Sequence, residues 1–552
     1  MRHHVACGLA VMVAASALAG ASASPAFAHA TLIDTSPAHG AVLEQAPEVV
    51  RLRFDERVGL VPTSVRVYDS DAQRVEVGDA EQPTDGVVEV RLPGDLAEDT
   101  YTVAWRVLSE DSHPIRGAFV FSVGEPVRGG VGVAEQILDE DADSAPVDWS
   151  LWLVRFLGLA LVLACVGGAA VLAFVVDTPT TRARALWLAL GGSAALLAVD
   201  SLALIALTGV KVAGLGLGDV FGYSASREVL ETSFGQVWLA RTVLAAALAA
   251  VALVAARRKP ERWLVASVLL AFSIGVTPAL SGHARVEGAL AVLSDAVHVT
   301  AAGIWAGGLA FLALLLVEAG GDRWSRAATV VPRFSLLAVG SVIALVASGV
   351  VNGLFEVGSL AALWETTYGQ LVLAKMALLV PLLALGAFNN RVSVPALRAA
   401  KAGPELRRRF SRAVALELGV MVAVVGVTAA LVAEPPANAR GTGGTLTREG
   451  ELGPFLYTLT VEPARAGRNE VHAYVLEPTG QPAQVDEVAL TATLAAPEVG
   501  PLELEATPAG PGHVVVTAAE LPLTGDWTID VDVRRGEFDA WNATVDTPIG
   551  KD

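Results

Sequence analysis

Cysteine is nearly absent from this sequence, which has two, Cys7 and Cys165, among 552 residues. Two cysteines build no disulfide framework, and this pair forms no C-x-x-C metal motif. Basic residues are the minority, 39 against 57 acidic ones, and the formal net charge is −18. This balance argues against binding to nucleic acid. The chain also lacks a nucleotide-binding motif, so nothing in it indicates a reductase or another nucleotide-dependent enzyme.

Charged residues are scarce as well, at 17%, whereas hydrophobic residues make up 53% and the mean hydropathy is +0.53. A chain of this size and apolarity is predicted to be a polytopic membrane protein with room for separate soluble domains. Its first residues have a basic start, a short apolar run at 5–19 and the sequence A-F-A at 26–28. These features predict a signal peptide over 1–28, so that the mature chain begins at His29.

Between 29 and 124 apolar and polar residues alternate, which predicts an antiparallel, immunoglobulin-like β-sandwich or barrel. The alternating segments are EVVRLRF (48–54), SVRVYDS (64–70), VVEVRL (87–92), TYTVAWRVL (100–108) and GAFVFSV (117–123). A Gly-rich, acidic stretch at 125–148 is expected to be a linker. Five further strand-like segments at 445–545 predict a second external β-sandwich. His472 and His513 are its only histidines, and we expect two partly exposed strand residues there with no ligand cluster.

The segment 149–435 contains eight apolar runs of the length that crosses a bilayer, which predicts an all-α bundle of eight helices. The runs lie at about 150–176, 185–208, 236–256, 263–281, 289–317, 334–355, 370–388 and 413–433. Basic residues concentrate in the loops after odd-numbered runs, with four in 257–262 and seven in 391–412. The positive-inside rule therefore predicts that both termini, and with them both β-domains, lie outside the cytoplasm.

His29 has a chemical property that exists only after cleavage. Its free α-amine and its Nδ1 atom can then chelate one metal ion, and two nitrogen donors in this arrangement suit Cu(II). Asp111 and His113 follow the strand 100–108 and can complete a set of nitrogen and oxygen ligands. Asp111 could instead orient a ligand without touching the metal. His39 is interpreted as a surface turn residue.

The segments HATLIDTSPAHGAVLEQAPEVVRLRF and TYTVAWRVLSEDSHPIRGAFVFSV resemble the CopC family of exported copper-binding β-domains. The resemblance implies that His29, Asp111 and His113 are Cu(II) ligands. Some relatives also have a methionine-rich Cu(I) site. No methionine occurs between 29 and 124, so a Cu(II)-only domain is implied here.

Polar residues inside apolar spans are costly and are usually functional. His283 lies at the end of the fourth run, and Asp295 and His298 lie three residues apart on the fifth, on one helix face. The segments SGHA, DAVHVTAAGIWAGGL and TTYGQLVLAK resemble the CopD family of copper-resistance membrane proteins. The resemblance implies copper movement, expected inward. His283, Asp295 and His298 are the candidate membrane ligands, with Met376 as a soft candidate for Cu(I). Buried charges such as Asp200, Arg241, Lys375 and Glu417 are equally explained by pairing with one another.

These observations favour a non-enzymatic copper transport protein of the bacterial inner membrane whose partners are copper, the bilayer and periplasmic copper proteins. Three alternatives stay open: a membrane-anchored copper buffer or delivery protein, a haem-binding electron carrier, and a copper-dependent oxidative enzyme. The histidines of the membrane spans can also be explained by hydrogen bonds between helices. The C-terminal segment is weakly similar to YtkA- or FixH-like β-sandwiches, and we assign no metal site to it.

Overall fold

A computed structural model gives the architecture of the chain. It describes 32–38, 41–54, 57–60, 64–108, 114–124, 145–176, 183–222, 226–227, 229–230, 232–258, 260–282, 284, 288–319, 323–358, 360–399, 403–434, 436–437, 446–462, 464, 466–477, 483–495, 499–510, 512–536 and 539–550. Two strand-rich regions flank eight long helices, as the sequence predicts.

The N-terminal region forms two four-stranded sheets, with the orders β1-β3-β6-β5 and β2-β8-β7-β4. The strands are β1 (Leu32–Ser36), β2 (Val42–Leu43), β3 (Val49–Phe54), β4 (Val65–Tyr68), β5 (Val77–Thr84), β6 (Val87–Arg91), β7 (Asp99–Leu108) and β8 (Pro114–Val123). Alternate residues such as Leu52, Val67 and Val103 are fully buried between the sheets. Each such side chain contributes roughly 1.5–3 kcal/mol relative to exposure. The predicted β-sandwich is therefore confirmed.

Among the described residues, eight helices are long and apolar enough to cross a membrane, which confirms the predicted number, and each contains its predicted run to within two residues. They are α1 (Ala145–Val175), α2 (Ala183–Ala213), α3 (Ser233–Ala255), α4 (Leu264–Ser281), α5 (Ala289–Glu318), α6 (Arg323–Glu356), α7 (Thr367–Arg398) and α8 (Pro404–Leu431). Helix α1 lies at the centre of the bundle, where it contacts α2, α4, α5 and α8.

Glycines allow α1 and α5 to cross closely. A Cβ atom at Gly307 would collide with the backbone of Leu163, and one at Gly167 would collide with the backbone of Gly308. The Gly-Gly pairs at 167–168 and 307–308 thus have the close-packing role expected of small residues in membrane helices. Part of α5, Gly303–Gly307, is a π-helical turn at this crossing.

The C-terminal region is a second sandwich, with one five-stranded sheet, β14-β15-β11-β10-β9, and one four-stranded sheet, β13-β12-β16-β17. The strands are β9 (Leu446–Leu452), β10 (Phe455–Glu462), β11 (Gly467–Leu476), β12 (Glu487–Leu494), β13 (Val499–Leu504), β14 (Thr507–Gly510), β15 (His513–Leu521), β16 (Gly525–Arg535) and β17 (Asp539–Ile549). Its core is centred on Trp527, which is fully buried.

Candidate metal centres

The predicted ligands of the N-terminal domain, His29, Asp111 and His113, lie outside the described residues, as does His39. Their flanking residues are described. Strand β1 begins at Leu32, three residues after His29. Leu108 and Pro114, on either side of the segment with Asp111 and His113, face each other as a pair in the β7–β8 hairpin.

These flanking residues are connected through a short chain of contacts. Leu32 is the register partner of Phe54 on β3. The Phe54 ring packs edge-on against Trp105 of β7, with centroids 5.4 Å apart. Trp105 is three residues before Leu108 on the same strand. The start of β1 and the end of β7 therefore lie at the same end of the sandwich.

Gly117 makes room for this arrangement. It faces Trp105 across the β7–β8 hairpin, and a Cβ atom at this position would lie 2.6 Å from the indole ring. The next pair in the register brings Arg106 opposite Arg116. Burial, and then the neighbouring Arg116 charge, lower the pKa of Arg106.

In the membrane, Asp295 and His298 lie on α5 and face α6. His298 Nδ1 is 3.2 Å from Ser348 Oγ, and Asn352 donates from Nδ2 to Asp295 Oδ1 at 3.3 Å. The Ser348 hydroxyl itself donates to the Ala344 carbonyl at 2.7 Å, so it is left to accept from the Nδ1–H of His298. This assignment leaves the lone pair of His298 on Nε2, the nitrogen available to a metal.

Helix α7 adds charge to the same place. The Tyr368 hydroxyl donates a hydrogen bond to the carboxylate of Glu356 on α6. The half-buried Lys375 is within electrostatic range of the carboxylates of Glu356 and Asp295 and also of His298. We call this group the α5–α7 polar cluster; its members are Ser294, Asp295, His298, Ser348, Asn352, Glu356, Tyr368 and Lys375.

Sequence reasoning identified Asp295, His298 and Lys375 but missed the contribution of α6. Ser348, Asn352 and Glu356 are spaced by four residues in 342–356, where every other residue is apolar or glycine. This spacing places them on one helix face, so the pattern was available as a signal. The other two membrane candidates were His283 and Met376. His283 lies outside the described residues, and Met376 is 57% exposed on the surface of α7.

A second polar group ties together the first half of the bundle. Arg241 of α3 donates from Nε to Thr277 Oγ1 of α4 at 2.6 Å, and its guanidinium lies 3.7 Å from the centre of the Trp238 ring. The charges of Arg241 and of Asp200 on α2 act on each other. Gly158 of α1 leaves the space that Asp200 occupies. We call these residues the Asp200–Arg241 cluster.

The other buried carboxylate of the bundle also has a partner of its own. Asn389 of α7 donates to Glu417 of α8 at 2.7 Å, and Ser393 donates to Asn389 at 3.0 Å. Glu417 is 4% exposed. This contact links two helices and, among the described residues, joins neither polar cluster. The partner of Glu417 is a neutral amide and not another buried charge, so pairing of charges with one another does not describe this contact.

The predicted exposure of the C-terminal histidines is wrong. His472 and His513 are 7% and 4% exposed, and His472 Nδ1 lies 3.1 Å from His513 Nε2. The sequence predicts two partly exposed strand residues, whereas both are buried. The pairing of β11 with β15 brings them together.

Three family models match the chain in consecutive segments. The CopC domain matches 32–124, the N-terminal domain of copper resistance protein D-like proteins matches 146–292, and Copper resistance protein D matches 328–431. These matches cover the N-terminal sandwich and most of the helical bundle.

Full-length relatives extend the similarity. The chain is 29% identical to Copper transport protein CutJ of Bacillus subtilis (strain 168), over 84% of this chain and 85% of that protein. It is 33% identical to Copper resistance protein D of Pseudomonas syringae pv. tomato, over 42% of this chain and 73% of that protein. The crystal structure of CopC from Methylosinus trichosporium OB3b is 32% identical over 18% of this chain and 95% of that chain, with a TM-score of 0.16.

Proposed function

This chain belongs to the CopC and CopD families of copper transport and resistance proteins, and from that premise we propose that it imports copper. In this proposal the exported domain captures Cu(II) and passes the ion to the α5–α7 polar cluster. The observation that carries the proposal is the joining of a CopC domain and a CopD membrane domain in one polypeptide. A covalent link keeps a capture site at a high effective concentration beside the membrane domain.

Capture is assigned to His29, Asp111 and His113. The α-amine and imidazole of His29 supply two nitrogen donors, His113 supplies a third and Asp111 supplies an oxygen. Strand β1 begins three residues after His29, a reach of about 10 Å for extended chain. The contact chain from Leu32 through Phe54 to Trp105 supports this assignment, because it brings the start of β1 to the β7–β8 end of the sandwich.

Within the membrane, the candidate ligands are Nε2 of His298 and the carboxylate of Asp295. Asn352 and Ser348 hold these two side chains in place through hydrogen bonds. Lys375 is within electrostatic range of Glu356 and Asp295 and offsets their negative charge. His283 is proposed as a further ligand at the outer end of α4. Both termini are assigned to the outer side, on the evidence of the basic residues in the opposite loops.

The test is copper uptake by proteoliposomes that contain the full-length protein. We expect His298→Ala to reduce the uptake rate by about 10- to 100-fold, the usual cost of losing a metal ligand or its support. Ser201→Ala is the matched control, because Ser201 is also buried in the bundle but donates only to its own helix at Leu197. Unchanged uptake in His298→Ala would contradict the membrane half of the proposal.

A further variant in the same experiment tests capture. One additional alanine before His29 converts the α-amine into an amide, which is a poor ligand. We expect Cu(II) affinity at this site to fall by at least about 100-fold, while uptake at saturating copper is retained. Equal Cu(II) affinity with and without the extra residue would overturn the capture assignment and leave the transport assignment standing.

A further inference from the structure

The five-stranded sheet of the C-terminal sandwich carries polar side chains on the face that does not form the core. On β11, Glu470, His472 and Tyr474 alternate with residues that are buried in the core, Val471, Ala473 and Val475. Alternate residues of a strand point to opposite faces of the sheet. The three polar side chains therefore form a row on the outer face.

His513 extends this row onto the neighbouring strand. It is the register partner of Tyr474, and the two rings stack with centroids 4.1 Å apart and planes 9° apart. The diagonal neighbour of His513 is His472, and the two imidazoles approach through His472 Nδ1 and His513 Nε2 at 3.1 Å. Their planes differ by 17° and their centroids are 5.4 Å apart. The rings thus meet edge to edge through these two nitrogens.

Glu470 determines which nitrogen of His472 is available. Its Oε1 atom lies 3.1 Å from His472 Nε2, so the carboxylate accepts the hydrogen of Nε2–H. In the neutral ring the lone pair is then on Nδ1, the atom that faces His513. A carboxylate that orients a histidine in this way is the usual support of a metal-ligating imidazole.

We propose that His472 and His513 form a copper-binding site in the C-terminal sandwich, separate from the capture site and from the membrane cluster. Two nitrogens that each bind a metal at about 2.0 Å lie roughly 2.8 Å apart for a right angle and about 4.0 Å apart for a linear arrangement. Because the two nitrogens face each other nearly along one line, the linear arrangement applies, and metal binding moves the rings apart from the observed 3.1 Å to about 4.0 Å. The metal ion then takes the place of the hydrogen between the rings, which is released to solvent as a proton. The choice of copper over other divalent ions rests on the proposed function.

The surroundings favour two imidazole donors. The described residues contain no group of three or more His, Cys, Asp or Glu side chains that could hold a metal ion, so the proposed ligands are the two imidazoles, with Glu470 as the support of His472. Burial, and then the Glu470 charge, raise the pKa of Tyr474, so its phenol stays protonated and acts as a stacking surface. Glu470 has a 30% exposed side chain, so the site reaches solvent beside it.

The test is a copper titration of the full-length protein in detergent, against a competing chelator, in separate series with Cu(II) and with Cu(I). We expect the parent protein to bind one equivalent more than His472→Ala and His513→Ala in at least one series. Glu470→Gln is expected to keep this equivalent with about 10-fold weaker affinity, because the amide oxygen still accepts from Nε2–H but carries no charge. Equal copper stoichiometry in the parent and in both alanine variants would overturn the proposal.

Two measurements keep the result unambiguous. Circular dichroism and thermal unfolding identify a variant that fails to fold, and His472→Gln and His513→Gln then replace the alanine variants. Tyr474→Phe retains the ring that stacks on His513 and is expected to bind the same number of equivalents as the parent protein. The titration measures no transport, so the two proposals can fail separately. A protein that takes up no copper in proteoliposomes but still binds this additional equivalent of copper contradicts the import proposal alone.

Discussion

The two polar clusters of the membrane bundle use different chemistry. The Asp200–Arg241 cluster joins α2, α3 and α4 through a guanidinium, a hydroxyl and a carboxylate, and Arg241 is only 2% exposed. Apart from the carboxylate it contains no group that binds a metal well, because a guanidinium has no lone pair to donate. The α5–α7 polar cluster has an imidazole, a carboxylate, an amide and a lysine, held by hydrogen bonds between α5 and α6.

This difference indicates a division of labour within one bundle. A fixed cation such as Arg241, bonded to Thr277 of the neighbouring helix, stabilises the helix assembly. A cluster with a free imidazole nitrogen and flanking carboxylates can instead accept a passing cation. We therefore expect substitutions in the first cluster to reduce stability, and substitutions in the second to reduce transport by protein that remains folded.

The largest effect is expected for Arg241→Met, which leaves Asp200 as a buried carboxylate without its counter-charge. Leaving a buried charge without the nearby opposite charge that offsets it costs up to about 3–5 kcal/mol, which corresponds to a fall of up to roughly 10 °C in the thermal midpoint for a unit of this size. The measurement is the temperature at which half of the purified protein is no longer monodisperse. The double variant with Asp200→Asn removes both charges and should regain most of the loss. A single variant as stable as the parent protein would contradict a structural role.

The same substitution in both clusters gives the most direct comparison. Asp295→Asn keeps an oxygen that accepts from Asn352 but removes the charge, so copper uptake is expected to fall about 10-fold with little change in the thermal midpoint. Asp200→Asn is expected to do the reverse, with a lower midpoint and normal uptake per folded molecule. The measurements are proteoliposome uptake and thermal unfolding on the same preparations. If both variants lose uptake equally, the division of labour is wrong.

The architecture could be predicted from the sequence because it depends on local patterns. Period-two alternation gave β3, β4, β6, β7 and β8, and apolar runs of the right length gave all eight helices. Strand β5, VGDAEQPT, was missed because it carries no alternation and is mostly exposed, at the edge of its sheet. Short β1 and β2 provide too few residues for a pattern.

A candidate site could be predicted from the sequence only where its residues lie on a single helix or strand. Asp295 and His298 share a helix face, and their spacing is visible in the sequence. The contact of His472 with His513 depends on the register between β11 and β15, which have three other strands between them in the sequence. Such a register is set by the packing of the whole sandwich, so no local pattern predicts it.

The smallest effect is expected for a substitution that moves the His298 ring but keeps every polar group of the α5–α7 polar cluster. Gly349 faces His298 from α6, and a Cβ atom there would lie 3.3 Å from Cε1 and 3.6 Å from Nδ1 of the imidazole. Gly349→Ala keeps every polar group but shifts the ring by a few tenths of an ångström, so we expect uptake to fall about three-fold. Gly353→Ala, one turn along the same helix, meets no atom within 4 Å and is the matched control. Both alanines raise helix propensity by about 1 kcal/mol. A loss of uptake in Gly349→Ala alone therefore reports the position of His298, whereas equal uptake in the two variants would show that the ring position does not limit transport.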